Sequence, residues 1–556
     1  MYCKTCGAAN SEESNYCYRD GTSLTGSSSL NRLQVVNKET NFCPLCGEGT
    51  SSRENYCGAC GHTLFSLAKK ESAAAAIESV VVPAKNYSFS LSSFFTNFTK
   101  DRFQKALLPA VAAFLLMIIL SFFVSSSMNQ YYDSLFEEVF EMSPKEMAET
   151  IAEETGAEIK APGHLFGFTD VAMVSHLVPP TYTINAEGVL GYDEGSFNGK
   201  LKIDSSSIIL LLLPFTSLFV AGILYRRYMN DQSFSHFLTA AVSIGAIYGI
   251  FLCVFSFFSG FSYDLKVSEG GDLFKASINT SYFFLAAFIK AALIGVFASL
   301  SGMLFSLDYR HITKHLEQLI PYGEAAHQGF SAFIRSFVLL AIIFIVIIGT
   351  KLNEWKENVL DLSYMMDLPL SSELLEKTWS FAAFIGTQLG ALVYSMLHFT
   401  PLAFKMNLDS IGSDIEIHYA IFGGFQDSFG GMTQNLDVFF DMNNIGLYLK
   451  SAILIPIAFL LWAGYSLAKL KQTNWQTFVI FSLVYSVFTA VLAAASGTFL
   501  SGSVTAEGDF DTQQQALNYT IAVSSIRVLL LSFLMAGTLS FAGSWLYKFS
   551  SQKKRS

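Results

Sequence analysis

Runs of about twenty apolar residues, long enough to cross a bilayer as helices, recur along most of this chain. They fall at residues 105–127, three times within 206–307, at 330–350, and three times within 447–547. Eight membrane-spanning helices are the expectation. A ninth run, 379–400 (WSFAAFIGTQLGALVYSMLHFT), is also uncharged and long enough. Counting it would part Lys469, Lys471 and the tail Lys553-Lys554-Arg555 from the other basic clusters. Leaving it out keeps Lys100, Arg102 and Lys105, Arg226-Arg227, Arg310 and Lys314, and the tail on one side. Basic residues gather on the cytoplasmic side of membrane helices, so eight spans are preferred. Residues 379–400 then form a buried or membrane-resting helix, with a re-entrant segment or a true span as the rival.

The punctuation of these runs repeats. Pro214 and Pro456, Ala221-Gly222 and Ala463-Gly464, Ser259-Gly260 and Ser501-Gly502, and Gly295 and Gly537 all share a lag of 242 positions. Leu, Phe and Ala match by chance in apolar sequence; Pro and Gly at a fixed lag carry more weight. Outside that register, FGFTDVAMVSHLVPPTYTI from Phe166 resembles LGALVYSMLHFTPLAFKM from Leu389. The expected fold is an all-α polytopic membrane bundle of about eight transmembrane helices in two parallel four-span repeats. Each repeat is one span, an extracytoplasmic domain (128–205 or 351–446), and three spans. The first of these domains begins with helical periodicity broken at Pro144 and ends in Gly/Asn/Thr-rich stretches that read as short strands, a small α+β domain. Residues 501–515 read as an outside loop, 308–329 as a cytoplasmic loop, and 548–556 as a cytoplasmic basic tail.

Composition sharpens the class. Of 556 residues, 51% are hydrophobic and only 14% charged, against about 25% charged in soluble proteins. The net charge of −10 is concentrated: residues 129–204 hold fourteen Asp/Glu against four Lys/Arg, and 351–445 hold twelve against four. Acidic segments are tolerated outside the membrane, and no broad basic face is present to bind nucleic acid. The expected setting is the lipid bilayer of the plasma membrane, with both termini cytoplasmic.

The N-terminal region has a different chemistry. Seven of the eight cysteines lie in the first sixty residues, where CKTCGAANSEESNYCYRDGTSL from Cys3 aligns with CPLCGEGTSSRENYCGACGHTL from Cys43. The second copy, 41–65, sets Cys43, Cys46, Cys57 and Cys60 in a CxxC-x10-CxxC pattern. Two such knuckles present four thiolates for tetrahedral Zn²⁺, and a segment this short cannot bury enough core to fold unaided. The sequence resembles the zinc-ribbon family over residues 1–65, in particular the paired ribbons that precede membrane segments in many bacterial proteins. The first copy, 1–25, is degenerate: Asp20 stands where the fourth cysteine belongs, beside Cys3, Cys6 and Cys17. That set binds zinc through a carboxylate or is a decayed ribbon. A closed four-ligand site is structural and most often makes a docking module for a protein partner. Residues 66–104 read as a linker with a possible interfacial aromatic segment, 89–103.

Lys290 is the intramembrane residue with a claim to function. It sits inside the span SYFFLAAFIKAALIGVF, where a charge is costly and marks either a pathway or a pairing with backbone carbonyls. Gly245 and Gly249, spaced GxxxG, suit close helix packing. Pro214 and Pro456 would hinge or kink their helices. The chain holds no Gly-Lys-Ser/Thr phosphate loop, GxSxG elbow or HExxH helix, so no enzyme class is indicated. The first functional reading is a non-enzymatic membrane protein whose cytoplasmic ribbons dock a partner and whose outside domains bind an envelope signal. The second is a permease with duplicated halves, working with a separate ATPase partner. Its plan of one span, an outside domain and three spans, used twice, resembles that of some ABC-type permeases acting on lipids or peptides.

Overall fold

The computed structural model describes the chain from residue 99 to 553 apart from short connecting stretches, and before that only residues 40–42, 49–51 and 59. Two compact units are present, Met1–Asn86 and Tyr87–Ser556. In the first, β1 (Thr40–Phe42) pairs antiparallel with β2 (Gly49–Ser51), on either side of the CPLC segment. All seven ribbon cysteines and Asp20 lie outside the described residues.

The second unit holds eight helices long and apolar enough to cross a membrane. They are α1 (Lys100–Phe140), α4 (Leu212–Tyr228, preceded by a 3-10 turn at Ile208–Leu211), α5 (Phe234–Ser256) and α6 (Phe284–Phe305) in the first half of the unit. In the second half are α7 (Gly323–Met365), α10 (Leu454–Lys469, preceded by α9, Ile445–Ala452), α11 (Trp475–Ser496) and α12 (Ser525–Lys553). Their outward faces are apolar: Leu108, Phe123, Leu293 and Ile526 are each more than 60% exposed. Such surface suits contact with lipid. Inward, each half closes around its own cluster, one including Met117, Ile244 and Tyr248, the other Leu460, Phe481 and Tyr485.

Glycine sets the spacing inside each half. A Cβ built on Gly222 of α4 would lie 2.0 Å from the Ser299 carbonyl oxygen of α6, and one on Gly464 of α10 would lie 2.0 Å from that of Ser540 in α12. The GxxxG pair Gly245 and Gly249 meets the backbone of α6 in the same way, so its use is packing. Pro214 and Pro456 are not in mid-helix positions. Each is the third residue of its helix, in the first turn, where a missing N–H costs least. The expected kink is replaced by a change of helix one turn earlier.

The larger departure from expectation is a ten-stranded antiparallel sheet, ordered β10-β9-β8-β12-β11-β5-β4-β7-β6-β3. The fold is thus helical with one extensive β layer rather than all-α. Its strands are β3 (Glu158–Lys160), β4 (Pro180–Leu190), β5 (Asp193–Ser205), β6 (Ser262–Glu269) and β7 (Asp272–Tyr282), then β8 (Leu402–Leu408), β9 (Ser413–Ala420), β10 (Gly424–Asp427), β11 (Thr498–Gly508) and β12 (Asp511–Val523). Two separate outside domains were expected; instead β5 pairs with β11 along eleven residues, from Ser205↔Thr498 to Gly195↔Gly508, and fuses both halves into one layer. The segment read as a loop, 501–515, lies largely within the β11–β12 hairpin, and the last span begins at Ser525 because Val523 is still paired to Leu402. The acidic helix expected around Pro144 is α2 (Pro144–Thr155), capped by reciprocal hydrogen bonds between Ser143 and Glu146.

The sheet bears on the ninth run. Strands of one sheet lie on one side of the membrane, so the chain crosses an even number of times between any two of them. Between β7 and β8 it passes through α6, α7 and α8 (Thr378–Met396). With α6 and α7 as spans, α8 does not cross. It is buried through Ala391, Tyr394 and Leu397 instead, with Gly386 and Gly390 against the α7 backbone at Ile345 and Ala341.

Two outcomes are expected. Single cysteines at the exposed positions Lys266 and Gln426 label from the same side of intact cells, and one at Ser550 does not; opposite labelling of Lys266 and Gln426 would make α8 a span. Replacing Gly222 or Gly464 with Leu collapses the yield of folded protein, read as loss of the monodisperse peak in detergent.

Candidate functional site

Three helix-to-strand passages and one seam position the polar groups of this protein. At the first passage, α3 (Phe168–Ser175) ends at His176, Leu177 takes a left-handed φ of 61°, and β4 follows. At the second, α8 ends near His398, Phe399 has φ 59°, and β8 follows. Positive φ in a non-glycine residue costs of order 1 kcal/mol or more, and each site holds it with the same device. Nδ1–H of His176 donates to the Ala172 carbonyl (2.7 Å), and that of His398 to the Tyr394 carbonyl (2.9 Å). A carbonyl only accepts, so each Nε2 is the acceptor. It takes the hydroxyl proton of Tyr248 in α5 (3.0 Å) or of Tyr485 in α11 (2.9 Å). In the second half the chain of hydroxyls continues from Tyr485 to Tyr394 (2.8 Å) and Ser336 (2.7 Å).

Both imidazoles are fully buried, and burial pushes each down to about 4 from the ordinary 6.5. They are neutral locks at pH 7. Asp170 fastens the third passage, from α5 into β6. Its carboxylate accepts from the Gly167 N–H (3.0 Å) at the start of α3 and from the Gly260 N–H (2.8 Å) beyond α5. Burial raises its pKa, with the hydrogen bonds from Tyr282 and these amides opposing. At the seam, Gln388 of α8 donates to the Ser496 carbonyl (2.8 Å) and accepts a longer bond from the Ile208 N–H (3.4 Å), joining the halves.

Lys290 lies on α6 just beneath the sheet. Its ammonium donates to the Leu177 carbonyl, at the left-handed residue after His176. It also lines a cavity of about 730 Å³ under the β5–β11 seam. One row of paired residues crosses that cavity: Thr181, Lys202, Ser501 and Asn518. Lys200 and Asp204, two residues to either side of Lys202, share its face because side chains alternate along a strand. Phe283 and Ala286 line the α6 side. The adjacent rows point the other way and are apolar, as in Ile203, Leu500, Tyr519 and Met406.

Of the sequence-predicted site residues, only Lys290 falls within the described structure, where its amine meets a backbone carbonyl and a cavity. The histidines, Gln388 and the seam lysines were missed as a site. The HLVP and HFTP segments were the available signal for the histidines; the row Thr181–Lys202–Ser501–Asn518 had none. Among the described residues no group of three metal-ligating side chains occurs. No family model matches the chain, and neither curated proteins nor solved structures give a match.

The histidine locks make stability depend on pH. Each has its folded pKa below the unfolded one, so stability is full above about pH 6.5 and declines as pH falls toward 4, by about 3 kcal/mol per histidine. Thermal unfolding of the detergent-purified protein is expected to show this decline. Replacing His176 and His398 with Gln flattens it; an unchanged slope would remove the histidines from the account.

Proposed function

We propose that this chain is a non-enzymatic multi-pass protein of the plasma membrane, with both termini cytoplasmic. Its sheet stands outside and binds an envelope ligand, and its zinc ribbons dock a cytoplasmic protein partner. The observation that carries this reading is the continuous sheet, built from strands of all four connections between the apolar helices. Four unrelated loops would serve as linkers; one fused layer with a cavity at its seam is a receiving surface.

Basic residues support the orientation. Lys100, Arg102 and Lys105, Arg226-Arg227, Lys469, and Lys548 with Lys553 lie at the helix ends remote from the sheet, as cytoplasmic ends do. The hydrogen bond between Arg102 and His236 (2.8 Å) joins two of those ends. The CxxC-x10-CxxC set Cys43, Cys46, Cys57 and Cys60 supports zinc, with Cys3, Cys6, Cys17 and Asp20 as a weaker second set. We read the halves as products of a duplication. Supporting this, each sets a histidine–tyrosine lock before a hairpin, two spans, a second hairpin and a last span.

A second reading, a permease using a separate ATPase, draws on the cavity being lined by both halves, since transporter sites lie between repeats. Alanine at Cys43 and Cys46 separates the two. Under the docking reading the variant inserts normally, loses the zinc of that ribbon, and no longer captures its cytoplasmic partner. Unchanged capture, with an ATPase held by the loops near Arg226 and Lys469, would favour the permease.

A further inference from the structure

We propose that the cavity beneath the β5–β11 seam binds the phosphate headgroup of an anionic phospholipid, whose chains lie down the exposed face of α6. This rests on the reading of the sheet as a ligand-binding platform and names the ligand class.

The charge comes first. Lys200, Lys202 and Lys290 line one cavity with Asp204 as the single acid among its lining residues, an excess of cations that suits a phosphate oxyanion. Hydroxyl and amide groups of Thr181, Ser501 and Asn518 stand in the row through Lys202 and supply bonds to phosphate and glycerol oxygens. A zwitterionic headgroup would bring its own cation against the lysines.

Height is the second argument. Strand β7 ends at Tyr282 and α6 begins at Phe284, so the membrane boundary lies at the top of α6. Lys290 is six residues into that helix, about 9 Å down. Side chains on a helix lean toward its N-terminus and long amines reach for the interface, which agrees with the bond to Leu177. The lysines therefore converge at the level of lipid phosphates.

The third argument is what lies beneath. Phe283, Ala286, Lys290 and Leu293 follow one another at spacings of three and four, a single helix face. Leu293 is 66% exposed and neighbouring Ile289 47%, so apolar surface continues from the cavity into the bilayer. A free anion would use the upper part of this arrangement alone; an amphiphile uses all of it. The volume, about 730 Å³, falls within the usual range of small-ligand sites.

The test uses the full-length protein in mild detergent, with bound lipid counted by native mass spectrometry after titration with phosphatidylglycerol or phosphatidylcholine. Phosphatidylglycerol is expected to bind preferentially. Lys202→Gln and Lys290→Met each weaken it roughly tenfold, and Asp204→Asn strengthens it. Lys202 is exposed on the sheet, so its variant folds, as an unchanged elution profile and Tm verify. Equal binding of the two lipids, or indifference to Lys202→Gln, would overturn the proposal. Displacement of the lipid by millimolar inorganic phosphate would overturn it too, by making this a site for the free anion. The measurement does not depend on membrane orientation. If Gln426 labels from the cytoplasmic side while lipid selectivity persists, the outside-platform reading fails and the lipid site stands.

Discussion

The backbone ladder between β5 and β11 is the constraint on which the rest of the structure depends. Each half of the membrane unit packs around its own apolar cluster, and lipid supplies no hydrophobic drive to bring two finished bundles together. Contact between the bundles within the spans is aromatic, with Phe297 of α6 against Phe330 of α7 (5.7 Å) and Phe488 of α11 (5.1 Å). Eleven paired positions along the seam do what those rings alone would not: they fix register as well as proximity. A slip of one residue would turn Lys202 to the apolar side of the sheet and Ile203 to the polar side.

That seam also limits the ends of the sheet. In spatial order, β9-β8-β12-β11 is followed by β5-β4-β7-β6, so the halves join head to tail and leave two unlike edges. Repeated head-to-tail contacts propagate. Here the outer edges are covered by two short strands, β3 of three residues and β10 of four, instead of another full-length strand. Short edge strands are a recognised way to stop a sheet from recruiting further chains. On β8 and β9, close to one edge, Lys405 and His418 both contact Glu416 (2.5 and 2.8 Å), adding charge where apolar pairing would invite association.

Polar groups near the membrane are placed with similar economy. Burial holds His176 and His398 neutral, so neither brings a charge to the top of the bundle, and each spends both ring nitrogens on fixing a strained turn. Lys290 gives one of its three N–H donors to the carbonyl of the first of those turns. The lock, the strained residue and the intramembrane cation are therefore one assembly, directly beneath the row of side chains that crosses the seam.

Eight helices long and apolar enough to span were legible in the sequence, because a twenty-residue apolar run has few other uses, although α1 and α7 run more than ten residues past the apolar runs that announced them. Residues 501–515 show why the sheet was not. Their Gly, Ser and Asp content reads locally as loop, and only the partners Leu517 and Leu201 on either side of Gly502 make that segment a strand. A hairpin pairs with neighbours far away in sequence, and its composition records only that one face is wet. Likewise Lys290 was visible as a costly charge, but its acceptor lies 113 residues away and its fellow lysines lie on a strand of ordinary composition. Sequence alone determined which segments are apolar enough to enter a bilayer, since partitioning is a property of each segment; tertiary structure alone decided what the polar connections become, since strand pairing is a property of two.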